Sequence, residues 1–488
     1  MQLNNPHLFR QQCYINGEWL SAEKVNSEAI LNPSTQKVIG NVPNLGAKEA
    51  QLSIESAQIA FKAWKTTTAE HRSVILRKWY DLMVANSDDL ATILTLEQGK
   101  PFLEAKGEIA YAASFVLWYS EEAKRAYGEI IPSHREDGKI VVTKEPIGIV
   151  AAITPWNFPA AMITRKCAPA FAAGCSVILK PAPETPFTAL ALADLAEQAG
   201  IPKGLFNVIT GDAVDIGGVL TASKLVRKVS FTGSTNVGKI LMNQSSSSIK
   251  KMALELGGNA PFIVFDDADI DAAVEGAMVA KFRNAGQTCV CANRLFVHDA
   301  VYDQFAAKLA KRVSALKVGD GFADNVMIGP LINANAVLKV KSHVSDALSK
   351  GAKKLCGEFD QGKIEGKDSQ FVHPFVLTEV TDLMLVASEE TFGPLAPLFR
   401  FHSEEEVIER ANDTDSGLAS YLYTKSLGRA WRVGEALEAG MVGINEGFIS
   451  TAAAPFGGVK ESGLGREGSR HGMDEFLELK YMFMGGLS

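Results

Sequence analysis

The chain has 488 residues, too many for a single hydrophobic core, so we expect two or three domains. Hydrophobic residues make up 47% and charged residues 22% of the sequence, as in ordinary water-soluble globular proteins. The formal net charge of −7, with no strongly basic segment, argues against a nucleic-acid-binding protein. The 6 cysteines form no CxxC motif and the 8 histidines no closely spaced pair, so no metal site is predicted.

The N-terminus and the apolar stretches predict neither export nor a membrane span. The first residues, MQLNNPHLFRQQ, lack the basic-then-apolar pattern of a signal peptide. The uncharged stretch 146–164 is interrupted by Pro155, Asn157 and Pro159, and the apolar run 167–179 is too short to cross a bilayer. Because the thiols show no disulfide framework, we expect a cytoplasmic protein in a reducing compartment.

The predicted elements begin with helices and continue as strands that alternate with helices. Apolar residues recur at helical spacing over Ala50–Ala63 and Arg72–Gln98. From Gly148 onward, short β-rich runs end in Pro, Gly or Asp, and Ala-rich stretches such as Ala189–Gly200 separate several of them. These runs are IGIVAAITP, CSVILKP, LFNVITG, KVSFTGS and APFIVFDD. The alternation predicts a parallel α/β sheet, which we interpret as the cofactor domain.

A second alternating segment follows Cys289 and predicts another α/β domain. It contains NRLFVH, a helix over Val301–Leu316, and the β-rich runs HPFVLTEV and APLFRF, with Glu358–Gln370 as a surface loop. The runs GKIVVTKE, at Gly138–Glu145, and EFLELKYMF, near the end of the chain, belong to neither domain. Their apolar faces favour a sheet that joins subunits.

The strongest functional signal is KFRNAGQTCVC, at residues 281–291. Cys289 follows GQT directly, and Glu255 lies upstream in LELGG. A soft nucleophile and a candidate base on separate glycine-containing segments are typical of covalent catalysis. The alternative is structural: a lone cysteine is more often a small buried side chain, and an isolated glutamate is usually a surface charge. The tetrahedral adduct of a thiolate with a carbonyl needs fixed donors for its oxyanion, and Asn157, in WNFP, is a candidate amide donor.

Three patterns resemble phosphate- or nucleotide-binding segments. GLGREG, at residues 463–468, matches GxGxxG, but no β-rich run leads into it. GSTNVGK nearly matches a Walker A loop, but Ile240 replaces the Ser or Thr that binds Mg²⁺, which disfavours a P-loop ATPase. The same segment closes a strand and leads into a helix, so its N–H groups are candidates to face a pyrophosphate. Lys180 is either a solvated strand terminus or a contact to a nucleotide ribose.

Seven motifs occur in the order found in the NAD(P)-dependent aldehyde dehydrogenase superfamily, which the sequence resembles from about residue 15 to its end. They are TPWNFP, ILKPAPETP, FTGS, LELGG, GQTC, EETFGP and PFGGVKESGLGRE. The resemblance implies an α/β fold of the aldehyde dehydrogenase type with three parts. These are a Rossmann-type cofactor-binding domain (residues 1–124 and 146–256), an α/β catalytic domain (257–468) and a small β oligomerisation arm (125–145 and 469–488).

The resemblance also implies a role for each matching residue in the chemistry. Cys289 resembles the nucleophile that forms a thiohemiacetal and then a thioester, and Asn157 with the Cys289 N–H resembles the oxyanion hole. Glu255 resembles the base that activates the hydrolytic water. Glu390 matches a residue that binds the nicotinamide ribose, and Phe392 one that packs near the nicotinamide ring.

Other matches concern the cofactor. The residues matching those that line the cofactor cleft are Trp156, Gly233 and Ser234, and Lys180 matches a contact to the adenosine ribose. NAD-preferring relatives often place a glutamate three residues after this lysine, where it repels a 2′-phosphate, but here the position is Pro183. We therefore predict NADP as the cofactor, with NAD as the alternative because Glu184 comes next along the chain.

Two arginines bear on the substrate. Arg165 lies eight residues after Asn157, and Arg283 six residues before Cys289. Each is a surface or ion-pair arginine when considered singly, but an arginine fork binds a carboxylate well. The segments AMITRK, KFRNAGQTCVC and NEGFIST resemble the succinate-semialdehyde dehydrogenases, in which two matching arginines and a serine, here Ser450, bind the substrate carboxylate.

The predicted activity is therefore oxidation of succinate semialdehyde to succinate, as in 4-aminobutyrate degradation. Glutarate semialdehyde is one methylene longer, and pockets discriminate a methylene by only about 1–3 kcal/mol, so it stays an alternative together with a broader-specificity enzyme. A catalytically inactive scaffold is a third interpretation, against which the intact motif residues argue.

The last two predictions concern Cys291 and assembly. Cys291 is either a small buried side chain or, as in some relatives, a redox partner that forms a disulfide with Cys289, which across one intervening residue needs a special backbone geometry. The resemblance and the two additional strands predict a homo-oligomer, a dimer or tetramer. The predicted ligand of the protein is a small aldehyde with an ω-carboxylate. We expect the protein to bind neither nucleic acid nor membranes.

Overall fold

The computed structural model describes residues 3–21, 26–360, 362–364 and 367–487. Two large sheets organise the chain, one of eight strands and one of seven, and each is covered by helices. A three-stranded sheet and short two-stranded ribbons complete the β structure of the described residues. No helix within those residues combines the length and apolar character that a membrane span requires.

The first sheet has a parallel centre. The strand Ile149–Ile153 pairs in parallel with Ser176–Lys180 on one side and Val226–Thr232 on the other. Alternate residues of the central strand enter two different cores, since Val150 packs in one cluster and Ile149 in another, which explains its continuous apolar run. Across the sheet the order is Glu18–Leu20, Cys13–Ile15, Phe206–Val208, Ser176–Lys180, Ile149–Ile153, Val226–Thr232, Lys251–Glu255 and Gly463–Leu464.

The carboxyl ends of these parallel strands meet at one edge of the sheet. Ile153 is in register with Lys180 and with Phe231, and Thr232 is in register with Glu255. Ligands of open α/β sheets bind at this edge, so the topology places several predicted site residues near one another.

The second sheet is built from the part of the chain that follows residue 259. Across it the order is Lys353–Phe359, Val372–Thr378, Leu395–Phe401, Ala292–His298, Ala260–Val264, Ala419–Tyr423 and Met441–Ile444. Its pairs are parallel except at the edge strand Lys353–Phe359, which is antiparallel to its neighbour. The two α/β sheets confirm the predicted fold class.

The helices follow the predicted spacing with one correction. The predicted helix Arg72–Gln98 is two helices, Ala69–Ala85 and Ser87–Gln98, which meet at Asn86. Asn86 has non-helical dihedrals (φ −108°, ψ 22°), and its side-chain amide donates to the Leu82 carbonyl at 2.8 Å, a local bond that favours a helix end. The remaining α-helices are Ala47–Trp64, Phe102–Glu122, Ala161–Ala173, Pro186–Ala199, Ala213–Ala222, Thr235–Ser245, Ile270–Phe282, Tyr302–Ser314, Ala334–Ser349, Leu385–Ser388, Glu404–Asn412, Leu427–Ala436 and Ser469–Asp474.

The two additional strands pair with each other. Leu477–Met484 is antiparallel to Lys139–Pro146, and a third strand that was not predicted, Glu129–Ile131, adds to the other side. Leu479 and Ile130 of this sheet are 71% and 79% exposed. The residues of the predicted oligomerisation arm thus form a separate sheet with exposed apolar side chains, while its subunit-bridging role stays a prediction; residue 488 lies outside the described residues.

Smaller strand pairs show that one predicted loop was wrong and bear on the predicted domain boundaries. The predicted loop Glu358–Gln370 contains the end of a strand and the pair Lys363–Ile364 with Lys367–Asp368, while residues 361, 365 and 366 lie outside the described residues. Gly463–Leu464, from the segment assigned to the catalytic domain, pairs with the first sheet. The domain boundaries stay a prediction. The other pairs are Ser27–Leu31 with Val38–Pro43 and Ser416–Gly417 with Val459–Lys460.

Candidate active site

The segment before Cys289 is a tight turn with unusual backbone geometry. It follows the helix Ile270–Phe282, and Asn284 and Ala285 have φ values of 51° and 56°. Gly286 has φ 76°, and a Cβ there would lie 2.3 Å from the Gly393 carbonyl oxygen, so this position requires glycine. Left-handed backbone at non-glycine residues is costly and concentrates at functional sites.

Cys289 opens onto a cavity of about 280 Å³ between the two large sheets. The cavity collects most of the predicted catalytic and cofactor residues. Its lining consists of Pro155, Trp156, Asn157, Thr232, Gly233, Ser234, Leu256, Gly257, Cys289, Lys339, Glu390 and Phe392.

Asn157 is held through both its main chain and its side chain. Its main-chain carbonyl oxygen accepts from the Lys100 ammonium at 2.8 Å and from the Asn284 side-chain amide at 3.0 Å. Lys100 in turn forms a buried ion pair with Glu108 at 2.6 Å. The Asn157 amide nitrogen donates to the Gln287 carbonyl at 3.0 Å, which links it to the segment that precedes Cys289 and leaves its second N–H for another acceptor.

The environment of Cys289 keeps its thiol protonated. Burial raises the pKa of Cys289 to about 12, and the positive charge of Arg165 offsets only part of that rise. At neutral pH the group is therefore a thiol, and its use as a nucleophile requires a base that removes the proton as attack occurs.

Glu255 lies at the end of its strand, next to the cavity but not in its lining. Both carboxylate oxygens are buried and have no hydrogen-bond partner among the described residues. Burial, followed by repulsion from the Glu467 carboxylate, raises the pKa of Glu255 well above its usual range. A carboxylate destabilised in this way is a stronger base once it is ionised.

Arg165 is buried and already faces a carboxylate. Its Nη2 lies 2.7 Å from Glu467 Oε2, and its guanidinium carbon lies 3.9 Å from the centroid of the Phe456 ring. Lys166 also pairs with Glu467, and although burial alone raises the pKa of Glu467, these two cations lower it. The Nε of Arg165 is buried and has no hydrogen-bond partner among the described residues.

Arg283 differs from Arg165 in that it forms no ion pair within the described residues, although the Glu104 carboxylate lies in its field. Its guanidinium carbon lies 5.2 Å from the centroid of Phe158 and 4.9 Å from that of Phe448, so two aromatic rings flank the cation. Across the described part of the chain the Arg283 guanidinium makes no ion pair and donates no hydrogen bond. Ser450, two residues beyond Phe448, is 7% exposed.

The cofactor side of the cavity contains a carboxylate and two aromatic rings. Glu390 accepts from the Gly258 N–H at 3.1 Å, and burial raises the pKa of Glu390 to about 7. Trp156 and Phe392 meet edge to face with centroids 5.6 Å apart. Lys339, on the helix Ala334–Ser349, also lines the cavity and was missed, because a lone lysine on an amphipathic helix gives no sequence signal.

Gly233 and Ser234 line the cavity, but their polar groups are partly engaged. The Gly233 N–H donates to the Glu255 carbonyl at 3.0 Å, and Ser234 caps the helix Thr235–Ser245 by accepting from the Val237 N–H at 3.4 Å. The predicted contact of this segment to a pyrophosphate therefore falls to the remaining N–H groups of the first helical turn.

Lys180 and Pro183 lie outside the Cys289 cavity. Lys180 is buried at its strand end and donates to the Pro181 carbonyl at 3.1 Å. Burial lowers the pKa of Lys180, and the nearby Glu184 carboxylate opposes that shift. Pro183 and Glu184 line a separate cavity of about 230 Å³ together with Glu28.

Cys291 is directed toward Lys281. The Lys281 ammonium donates to the Cys291 sulfur at 3.3 Å, and the Cys291 thiol lies 3.4 Å from the Lys281 carbonyl oxygen. Both side chains are buried, and Cys291 does not line the cavity of Cys289. Its predicted disulfide with Cys289 would require this contact to break.

This arrangement defines a class of enzyme. A cavity that joins a cysteine, an asparagine amide and a glutamate carboxylate at the edge of a Rossmann-type sheet agrees with the resemblance. The chain belongs to the Aldehyde dehydrogenase family, whose model matches residues 19–482. The predicted family is thereby confirmed.

Similar proteins of known name lie within this family. The NADP(+) succinate-semialdehyde dehydrogenase GabD of Escherichia coli is 58% identical over 485 residues, which cover 99% of this chain and 100% of GabD. The glutarate-semialdehyde dehydrogenase of Pseudomonas putida is 59% identical over 483 residues, 99% of each chain. A crystal structure of succinate-semialdehyde dehydrogenase from Burkholderia pseudomallei matches with a TM-score of 0.97 at 58% identity, covering 99% of this chain and 100% of that one.

Proposed function

We propose that this enzyme oxidises succinate semialdehyde to succinate with NADP. The observation that carries the proposal is the Arg283 guanidinium, a cation in the field of Cys289 that forms no ion pair within the described residues. A cation in such a place favours an aldehyde with a distal carboxylate over an uncharged one. Arg165 and Ser450 complete the proposed carboxylate site, and the similarity to GabD supports the same substrate.

Glutarate semialdehyde is the second candidate substrate. The 59% identity to the glutarate-semialdehyde dehydrogenase of Pseudomonas putida favours it, and its chain differs by one methylene. Because one methylene changes binding by only about 1–3 kcal/mol, we expect turnover of both aldehydes with the shorter one preferred.

In the proposed reaction, Cys289 attacks the aldehyde carbonyl carbon. A base takes the thiol proton, the sulfur–carbon bond forms, and the carbonyl oxygen becomes the oxyanion of a thiohemiacetal. The second N–H of the Asn157 amide and the Cys289 N–H are the proposed donors to that oxyanion. Arg283 and Arg165 hold the other end of the substrate, so the reacting carbon is fixed over the sulfur.

The second half of the reaction releases the acid. NADP, when bound, supplies the acceptor for the hydride that leaves the substrate carbon, after which the acyl group is held on Cys289 as a thioester. Glu255 takes a proton from water, the hydroxide adds to the thioester, and the carbon–sulfur bond breaks to give succinate and the free thiol. The absence of any hydrogen bond to the Glu255 oxygens among the described residues supports this role, since neither oxygen is already engaged by a protein donor.

The cavity fits the nicotinamide end of such a cofactor. Glu390 is the proposed acceptor for ribose hydroxyls, and it has room because a Cβ at position 257, where glycine stands, would lie 3.0 Å from its Oε2. Trp156, Phe392, Gly233 and Ser234 are proposed to line the rest of the cleft. Lys180 is proposed to bind the adenosine ribose, with Pro183 leaving space for a 2′-phosphate.

The pKa of Glu390 leads to a prediction for cofactor binding. Burial raises it to about 7, so the carboxylate that accepts ribose hydroxyls is lost as pH falls through that value. We expect the Kd for NADP, measured by fluorescence titration, to rise by up to about tenfold per pH unit below 7. Glu390→Gln removes this dependence, whereas Glu389→Gln, at the neighbouring exposed carboxylate, keeps it. A Glu390→Gln protein with the wild-type pH profile would contradict the assignment.

Three further proposals concern the whole protein. The exposed apolar side chains of the sheet formed by Leu477–Met484 and Lys139–Pro146 support assembly into a dimer or tetramer. With succinate semialdehyde as the proposed substrate, we propose a cytoplasmic role in 4-aminobutyrate degradation. Cys291 is a proposed oxidative partner of Cys289, in competition with its contact to Lys281.

Product analysis tests the proposed function. Succinate semialdehyde and NADP incubated with the enzyme should give succinate and NADPH in equal amounts, measured by proton NMR and by absorbance. Formation of NADPH without succinate, or no reaction with this aldehyde, would reject the proposal.

A further inference from the structure

The hydroxyl group of Tyr111 is buried without a hydrogen-bond partner among the described residues. Tyr111 lies on the helix Phe102–Glu122, and its ring meets Phe115 edge to face with centroids 4.9 Å apart. Buried hydroxyl groups are normally paired, because an unpaired donor loses its bond to water and gains nothing in return. An unpaired one therefore needs an explanation.

The same face of this helix organises the proposed active site. Glu104, Glu108, Tyr111 and Phe115 are separated by four, three and four residues, so they lie along one face. Each of the two glutamates on this face bonds a different catalytic segment.

The first glutamate reaches the Cys289 segment and the second reaches the Asn157 segment. Glu104 accepts from the N–H of Asn284, the residue after Arg283, at 3.2 Å. Glu108 accepts from the Ala160 N–H at 2.9 Å, at the start of the helix that carries Arg165. Tyr111 lies one turn beyond Glu108 on the helix. It therefore comes directly after the two glutamates that bind the arginine-bearing segments.

An aromatic contact places Arg165 beside this face. The guanidinium carbon of Arg165 lies 5.7 Å from the centroid of Phe115, the ring that Tyr111 packs against. Burial raises the pKa of Tyr111, and the charges of Arg165 and Arg283 both lower it. The hydroxyl group therefore lies in the field of both proposed carboxylate-binding cations.

We propose that the Tyr111 hydroxyl donates a hydrogen bond to the distal carboxylate of the substrate, beside Arg165 and Arg283, and so contributes to substrate specificity. The inference rests on the proposed function. A carboxylate has about four lone-pair sites, more than one arginine fork fills, so a neutral donor adds to the arginines without adding charge. An uncharged aldehyde leaves the hydroxyl unpaired, which increases discrimination against it.

The substitution Tyr111→Phe tests this role, because it removes a single oxygen atom and keeps the ring. We expect kcat/KM for succinate semialdehyde to fall roughly 10- to 100-fold, mainly through KM, as for a lost bond to a charged acceptor. The value for butanal should stay within about twofold. The melting temperature should not fall, since the hydroxyl has no partner to lose among the residues that the structure describes.

Tyr119→Phe is the matched control. Tyr119 lies on the same helix, and its buried hydroxyl faces Gly472, where a Cβ would come within 2.3 Å of the oxygen. We expect this variant to keep the wild-type ratio of kcat/KM between the two aldehydes.

The outcomes separate the inference from the proposed function. If the wild type prefers succinate semialdehyde and Tyr111→Phe keeps that preference, or loses activity equally on both aldehydes, the inference is overturned and the proposed function stands. If the wild type itself treats succinate semialdehyde and butanal alike, the proposed function is overturned and this inference with it.

Discussion

Replacing Arg283 with alanine should raise KM for succinate semialdehyde by about 30-fold or more. Removing one partner of a desolvated, hydrogen-bonded charge pair costs about 2 kcal/mol or more, and 1.4 kcal/mol corresponds to a factor of ten. KM for butanal should change little, since butanal has no carboxylate to bind. Steady-state kinetics with both aldehydes at saturating NADP measure the effect.

Two further variants help to separate loss of the carboxylate contact from a general loss of activity in Arg283→Ala. Arg283→Lys keeps the charge but loses the bidentate fork, so we expect a KM between those of the wild type and the alanine variant. Arg77→Ala removes an exposed arginine that pairs with Asp81 and should leave both substrates unchanged. Equal losses on succinate semialdehyde and butanal after Arg283→Ala would show that Arg283 does not recognise the carboxylate.

Replacing Glu255 with glutamine should stop the enzyme after one turnover. Without the carboxylate that activates water, the thioester on Cys289 persists, and kcat should fall by about 10²- to 10⁴-fold. Rapid mixing should show a burst of one NADPH per active site followed by a very slow steady rate. If Glu255 also takes the thiol proton, the burst itself becomes slower.

The control for this variant is Glu461→Gln, an exposed carboxylate that pairs with Lys239 and should leave kcat unchanged. Glutamine matches glutamate in shape, so thermal melts of the two variants should stay close to that of the wild type. A Glu255→Gln enzyme that turns over within a few-fold of the wild-type rate would remove Glu255 from the hydrolytic step.

Much of the fold was predictable because its signals are local. The buried strand Ile149–Ile153 is an apolar run closed by a proline, and the short strands after it repeat that pattern. The break at Asn86 was missed because helical apolar spacing continues through it. The strand Glu129–Ile131 was missed because three residues give no periodicity, and its pairing with Lys139–Pro146 forms only in the tertiary structure.

The site residues that belong to sequence motifs could be predicted. Those that reach the site only through tertiary packing could not. Cys289, Asn157 and Glu390 belong to motifs and do line one cavity. Lys339 and Tyr111 lie on ordinary amphipathic helices, so nothing local distinguishes them from surface or core residues. The raised pKa of Cys289 also follows from burial in the folded chain, which spacing along the sequence does not reveal.

The ion pair of Arg165 illustrates the same limit. Its partner Glu467 lies far along the sequence, and the 2.7 Å separation exists only in the folded chain. From the sequence, Arg165 and Arg283 looked like an equivalent pair of carboxylate ligands. In the folded protein Arg165 already forms an ion pair with Glu467, whereas Arg283 forms none within the described residues, so we expect Arg283 to contribute more to substrate binding.

The most direct test of the account is a comparison of kcat/KM for succinate semialdehyde, glutarate semialdehyde and butanal, each with NADP and with NAD. We predict the highest value for succinate semialdehyde with NADP, a lower value for glutarate semialdehyde, and butanal at least about 30-fold below the first, as the carboxylate contact requires. Comparable values for butanal and succinate semialdehyde would contradict the carboxylate-binding role of Arg283, and a preference for NAD would contradict the role of Pro183.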